Sequence, residues 1–187
     1  MVKYTLMLVG SSLVRVLPLK LSYKISELLA DIAHSFLKVR RENSASNLRL
    51  ITGETQVSKL TRSLFRHLAK NTVDFLRFPH LSRRELTDRT EKIGFERLRE
   101  ALARGKGVIV VTPHLGNWEL GGALLASLGF PVSVVTESLA PRRQVIKRQR
   151  IAGLYEAYRT ATGMKVIPLE KGAVPVYRAL RKGEMVV

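Results

Sequence analysis

Gly107–Leu120 reads GVIVVTPHLGNWEL, and the parsing of this stretch decides the fold. Val108, Ile109, Val110 and Val111 are four consecutive β-branched residues, a run that suits a buried strand of a parallel sheet. The run breaks at Thr112-Pro113-His114. Pro113 fixes its own φ and disfavours helix at Thr112, so the strand ends there and His114 stands just beyond it. Gly116 permits a tight bend. Asn117 is suited to N-cap a helix over Asn117–Leu128, NWELGGALLASL, which places Glu119 in its first turn. Strand, turn and helix in this order begin a βαβ unit.

The flanking residues extend the pattern in both directions. Thr90–Arg104 is amphipathic through Phe95, Leu98 and Leu102, with Gly105 as its C-cap. Downstream, PVSVVTE (Pro131–Glu137) predicts a second strand and Arg142–Thr162 a basic helix. MKVIPL (Met164–Leu169) predicts a third strand, and Val174–Arg181 a helix closed by Gly183. EMVV then opens a fourth strand. The expected fold class is α/β, a largely parallel central sheet flanked by helices, over residues 81–187. Because Val187 falls inside what should be a strand, the chain is expected to be truncated at its C-terminus.

Residues 1–80 predict an N-terminal helical region that associates with membrane. Leu21–Leu37 has helical spacing, with Leu28, Ile32 and Phe36 on one stripe. RRENSASN (Arg40–Asn47) reads as a loop or an exposed helix start, and Gln56–Phe78 as a helix ended by Pro79. Apolar residues in the first 37 positions are interleaved with Arg15, Lys20 and Lys24. No apolar stretch reaches the ~18 residues of a clean spanning helix, and no signal-peptide cleavage pattern follows. Two readings stand: a helix lying in the membrane interface with its cations near lipid phosphates, or a core-packing helical hairpin broken at Pro18.

The 187 residues carry 32 Lys and Arg against 15 Asp and Glu, a net charge of +17. A field of that size recruits polyanions: an anionic membrane, an acidic carrier protein or nucleic acid. Nucleic acid is the least favoured, because the cations are not interleaved with aromatics and no recognition motif appears. With no cysteine, disulfides, thiolate metal sites and cysteine nucleophiles are excluded. The four histidines are too scattered for a zinc site, and no metal or redox cofactor is expected.

His114 and Glu119 form an H-x4-E pair. A neutral imidazole accepts a proton near pH 7, and a carboxylate on its other nitrogen fixes the tautomer and stabilises the imidazolium. Without a G-x-S-x-G motif or a cysteine, direct attack by a substrate hydroxyl on an activated acyl carbon is the economical chemistry. The competing structural reading is a strand-end histidine followed by a capped helix whose Glu119 complements the dipole.

TPHLGNWEL resembles the H-x4-[D/E] block of glycerolipid acyltransferases, and its surrounding letters resemble the lipid A lauroyl/myristoyl acyltransferase family, which includes phosphatidylinositol mannoside acyltransferases. RRENSASNLRLITG (Arg40–Gly53), VVTESLAP, YRTATGMKVIPL and ALRKGEMVV are similar to further blocks of that family. The resemblance implies transfer of a fatty acyl chain from acyl carrier protein or acyl-coenzyme A to a hydroxyl of a lipid or glycolipid. Its place would be the cytoplasmic face of the inner membrane, as a peripheral or monotopic protein among anionic lipids. It implies His114 as general base with Glu119 as partner, and Glu137, Arg159, Asn117 and Trp118 as substrate-binding residues. The alternatives are a non-catalytic basic module that binds membrane or nucleic acid, and a hydrolase using His114 to activate water.

Overall fold

The computed structural model describes residues 2–88, 90–137 and 145–187, with side chains from residue 4 onward and, in the last segment, from residue 150. The chain divides into two compact units, Gly10–Leu76 and Met1–Val9 with Arg77–Val187.

The first unit is helical. Helix α1 (Val2–Val16) enters it, followed by α2 (Leu19–Phe36), α3 (Lys38–Thr52) and α4 (Ser58–Arg77). Pro18, at φ −55° and ψ 140°, separates α1 from α2, because its ring cannot continue the preceding helix. Arg40–Asn47 lies inside α3, so the loop reading is replaced by continuous helix. No residue of α3 is buried, and the segment contains neither glycine nor proline to break it. Gly53 closes α3 in the left-handed region, donating its N–H to the Arg49 carbonyl at 2.9 Å.

Helix α2 is amphipathic in the inverted sense. Its buried positions are Ser22, Ser26 and Ala30, while Leu21, Ile25, Leu28, Leu29, Ile32 and Phe36 are exposed. The polar side is held by α4 through a ladder. Tyr23 Oη donates to Asp74 Oδ1 at 2.7 Å, Lys70 pairs with Glu27 at 3.0 Å, and Arg66 and Arg62 both grip Asp31. Each advance of four residues along α2 meets a retreat of about four along α4, the signature of an antiparallel pair. The hydrogen bonds from Arg62 and Arg66 hold the Asp31 carboxyl well below the usual carboxylate range.

The second unit contains a four-stranded sheet. It comprises a 3₁₀ turn (Phe78–His80), α5 (Arg83–Asp88), α6 (Phe95–Ala103), β1 (Val108–Ile109), α7 (Trp118–Ser127), β2 (Val132–Thr136), α8 (Val145–Ala161), β3 (Lys165–Pro168), α9 (Ala173–Arg181) and β4 (Met185–Val186). The strand order is β1-β4-β2-β3, and every pairing is parallel. The expected α/β class with a parallel sheet is therefore present. Of the expected basic helix, Arg142 and Arg143 lie outside the described residues, as do the side chains of Lys147 and Arg148.

The expectation of a buried first strand needs correction. Regular β1 spans two residues, although Val110 N–H still donates to Val186 O at 2.8 Å. Ile109 is 68% and Val111 91% exposed. The reason is topological: β4 inserts between β1 and β2 and leaves β1 at the edge. The buried strands are the inner ones, where Met185, Val186 and Val132 are all at most 4% exposed.

One local feature ties the sheet to a helix and another ties its strands together. Gly107, at φ +73°, precedes β1; a Cβ there would lie 2.6 Å from the Leu180 carbonyl oxygen, so only glycine permits this approach. Glu184, before β4, accepts from Ser133 Oγ at 2.8 Å and Lys165 Nζ at 2.5 Å. Burial alone would raise its carboxyl pKa, but the bonds from Lys165 and Ser133 hold it below the ordinary value.

Candidate active site

Beyond the carboxyl ends of β1, β4 and β2 lies a cleft of about 920 Å³, the position that open parallel sheets offer to ligands. The loop leaving β1 forms one lip. Thr112, Pro113 and His114 are exposed there and line the cleft. Gly116 turns the chain at φ +64°. Asn117 Oδ1 then accepts the Leu120 N–H at 3.1 Å, capping α7 as its residue type predicts.

His114 lies against Trp118, the ring centroids 4.8 Å apart and the planes inclined by 54°. Its ring is open to the cleft rather than sealed in the interior. Glu119 also lines the cleft, but its carboxylate is engaged elsewhere. Arg159 Nε donates to Glu119 Oε2 at 3.0 Å, and an Arg159 terminal nitrogen donates to Oε1 at 2.5 Å. The two side chains are only 16% and 20% exposed. Among the described residues, no hydrogen bond joins His114 to Glu119. The expected imidazole–carboxylate contact is replaced because a guanidinium presents two parallel donors matched to both carboxylate oxygens, whereas an imidazole nitrogen offers one. The Arg159 guanidinium also lies 5.9 Å from the Tyr155 ring centroid, a cation–π contact.

Of the remaining sequence-derived candidates, Glu137 is exposed at the end of β2 and Trp118 is half-buried; both line the cleft. Asn117 is not among the lining residues; its side chain serves the helix cap. Arg159 arrives from the last turns of α8, forty residues from its partner. Sequence reading named both residues without pairing them. It also passed over Tyr155, whose place four residues before Arg159 on one helix was the available signal, and Met164, which follows Arg159 in the quoted YRTATGM block.

The cleft changes character with depth. Its mouth carries His114, Thr136 and Glu137, while its wall includes Phe95, Leu124, Leu125, Val134 and Met164. Leu124 and Met164 are 5% and 3% exposed. Chemically, such a lining suits a molecule with an apolar body and a polar end, and an exposed imidazole is a group able to exchange protons. Among the described residues, no three His, Asp or Glu side chains are placed to share a metal ion.

The profile of the family described as "Bacterial lipid A biosynthesis acyltransferase" matches residues 1–187. A phosphatidylinositol mannoside acyltransferase of Mycolicibacterium smegmatis is 26% identical over 142 residues, covering 74% of this chain and 44% of that protein. A protein of the same description from Mycobacterium tuberculosis is 30% identical over 112 residues, 57% of this chain and 32% of the relative. A lipid A biosynthesis acyltransferase of Haemophilus influenzae is 31% identical over 104 residues, 56% of this chain and 30% of the relative. The chain thus spans less than half the length of these curated relatives. A match along all 187 residues, on a sheet with its cleft where the H-x4-E loop stands, shows that the chain belongs to the bacterial lipid A biosynthesis acyltransferase family.

Proposed function

We propose that this chain carries the base-bearing part of an acyltransferase that moves a fatty acyl group from a thioester donor, acyl carrier protein or acyl-coenzyme A, to a hydroxyl of a lipid or glycolipid. The observation that carries this reading is the exposed imidazole of His114 at the polar mouth of an apolar cleft. His114 takes the proton from the acceptor hydroxyl as that oxygen attacks the thioester carbonyl carbon. The tetrahedral intermediate collapses, the C–S bond breaks, and the imidazolium returns the proton to the departing thiolate. The products are an ester and a free thiol, and the base is regenerated.

Trp118 sets the ring's orientation by contact. Glu119 acts at one remove: clamped by Arg159, it fixes the wall of the cleft beside the base. Glu137, on the opposite side of the mouth at the end of β2, faces the acceptor, and Arg159 borders the thioester side. Asn117 contributes by holding the start of α7.

The same reading places the chain at the cytoplasmic face of the inner membrane. Among the described residues, no helix is long and apolar enough to cross a membrane. The outward stripe of α2, from Leu21 to Phe36, instead suits burial in the headgroup boundary, and a net charge of +17 suits anionic lipid.

The test replaces His114 with alanine in the protein made from its own gene, with lipid acylation read by mass spectrometry and in vitro transfer from a thioester. An exposed residue leaves the fold intact, so activity falls by ~10²–10⁴-fold with an unchanged unfolding midpoint. Transfer near the wild-type rate removes His114 as the base. Tight binding to duplex DNA without affinity for anionic vesicles would favour the non-catalytic basic module.

A further inference from the structure

Gly122 and Met164 meet in the wall of the cleft. Gly122 sits in the middle of α7, and Met164 immediately precedes β3; both line the cleft. A Cβ on Gly122 would stand 2.9 Å from the Met164 sulfur, closer than such atoms approach. Glycine is thus what lets the Met164 side chain lie flat against α7. Met164 and its cleft neighbour Leu124 are buried, 3% and 5% exposed. The polar mouth is marked by His114 and Glu137, both exposed.

From this juxtaposition we infer that the Gly122–Met164 contact is the end stop of the acyl-chain site and sets the length of chain the cleft accepts. The inference rests on the acyl-transfer reading above and adds a specificity determinant to it. A chain whose carbonyl lies at His114 points its methyl end toward the apolar, buried end of the cleft, and there the Met164 thioether closes the path. Methionine suits the position because it is unbranched and adjustable, so its resting place is decided by its neighbour across the contact. Adding one methyl at residue 122 displaces the thioether into the cleft; removing the thioether lengthens the cleft.

Gly122→Ala is compatible with folding, and Met164→Ala, which opens a cavity at a buried position, is read beside a volume-keeping control. Gly122 has no left-handed φ, so alanine there favours helix, and the atom it displaces is the far end of a flexible side chain. Met164→Leu keeps the volume and serves as the folded control.

The experiment titrates wild type, Gly122→Ala, Met164→Ala and Met164→Leu with a homologous series of S-alkyl pantetheine thioethers. These carry the arm common to both donor classes and cannot react. Each methylene that no longer finds room lowers affinity roughly fourfold. The expected result is opposite displacement of the optimum: shorter chains for Gly122→Ala, longer for Met164→Ala, and the wild-type optimum for Met164→Leu. A wild-type optimum in both alanine variants, with chains still bound, overturns the end stop and leaves the acyl-transfer reading standing. Absence of binding to wild type at every length overturns both.

Discussion

The Arg159–Glu119 pair offers a direct test of how the site is built. Replacing Arg159 with methionine removes the guanidinium, keeps much of the aliphatic bulk and strands the Glu119 carboxylate in a site where it is 20% exposed. A hydrogen bond to a charged group contributes about 1.5–3 kcal/mol, and two are lost here. A fully buried pair broken on one side costs about 3–5 kcal/mol, whereas an exposed pair is worth about 0–1 kcal/mol. With roughly a fifth of each side chain reaching solvent, the expected cost is about 2–3 kcal/mol. Glu119→Leu alone leaves an unpaired cation, but one on a longer side chain that can swing toward water, so it costs less. The double variant, Arg159→Met with Glu119→Leu, removes both charges and is expected to be more stable than Arg159→Met alone, with a coupling energy of about 1–3 kcal/mol. Urea unfolding followed by circular dichroism measures all four corners of the cycle, and repetition at high salt should change the coupling little because the pair is poorly screened. Strict additivity of the two single changes, or a cost below ~0.5 kcal/mol for Arg159→Met, would refute the claim that this ion pair organises the cleft wall.

Two further outcomes are expected elsewhere in the molecule. His34 has a buried Nε2 without a hydrogen-bond partner and an edge-on contact with Phe65 at 5.3 Å; burial first, then the positive charges of Arg41 and Arg62, lower its pKa against the opposing effect of Asp31. The unfolded chain therefore binds this proton more readily, so stability is full above about pH 6.5 and falls as pH drops below it; the urea midpoint of wild type should fall more steeply over that range than that of His34→Gln, and equal pH dependence of the two would refute the assignment. Gly107→Ala forces a left-handed φ on alanine and sets its Cβ 2.6 Å from the Leu180 carbonyl oxygen; it should cost ~2 kcal/mol or more, a fall of roughly 4–8 °C in Tm, while Gly153→Ala on α8, where a Cβ meets nothing within 4 Å, should be neutral or stabilising.

The elements themselves were legible where the signal is local. Helical stripes, Pro18, Pro79 and the glycines at 105, 129 and 183 placed most boundaries within a few residues of those observed, because propensity, capping and φ restrictions act over one or two turns; the helix expected from Thr90 begins only at Phe95. Asn117 was recognised as a cap from residue type and position alone. Arg40–Asn47 read equally as a loop or an exposed helix start, since a polar stretch without glycine or proline has no local feature that distinguishes the two. Four β-branched residues at 108–111 called for burial, yet burial of a strand depends on its neighbours in the sheet, and those neighbours come from residues 132 and 185.

What the amino-acid order determined by itself was therefore the alternation of strand and helix, the family, and a histidine carried on the loop beyond the first strand. Tertiary structure alone decided that β4 enters between β1 and β2, that α2 turns its apolar stripe outward while Ser22, Ser26 and Ala30 lie inside, and that Glu119 answers to Arg159 rather than to His114. The physical reason is common to all three. Each depends on which distant group wins a shared partner, and that competition is settled by geometry in the folded chain rather than by spacing along it.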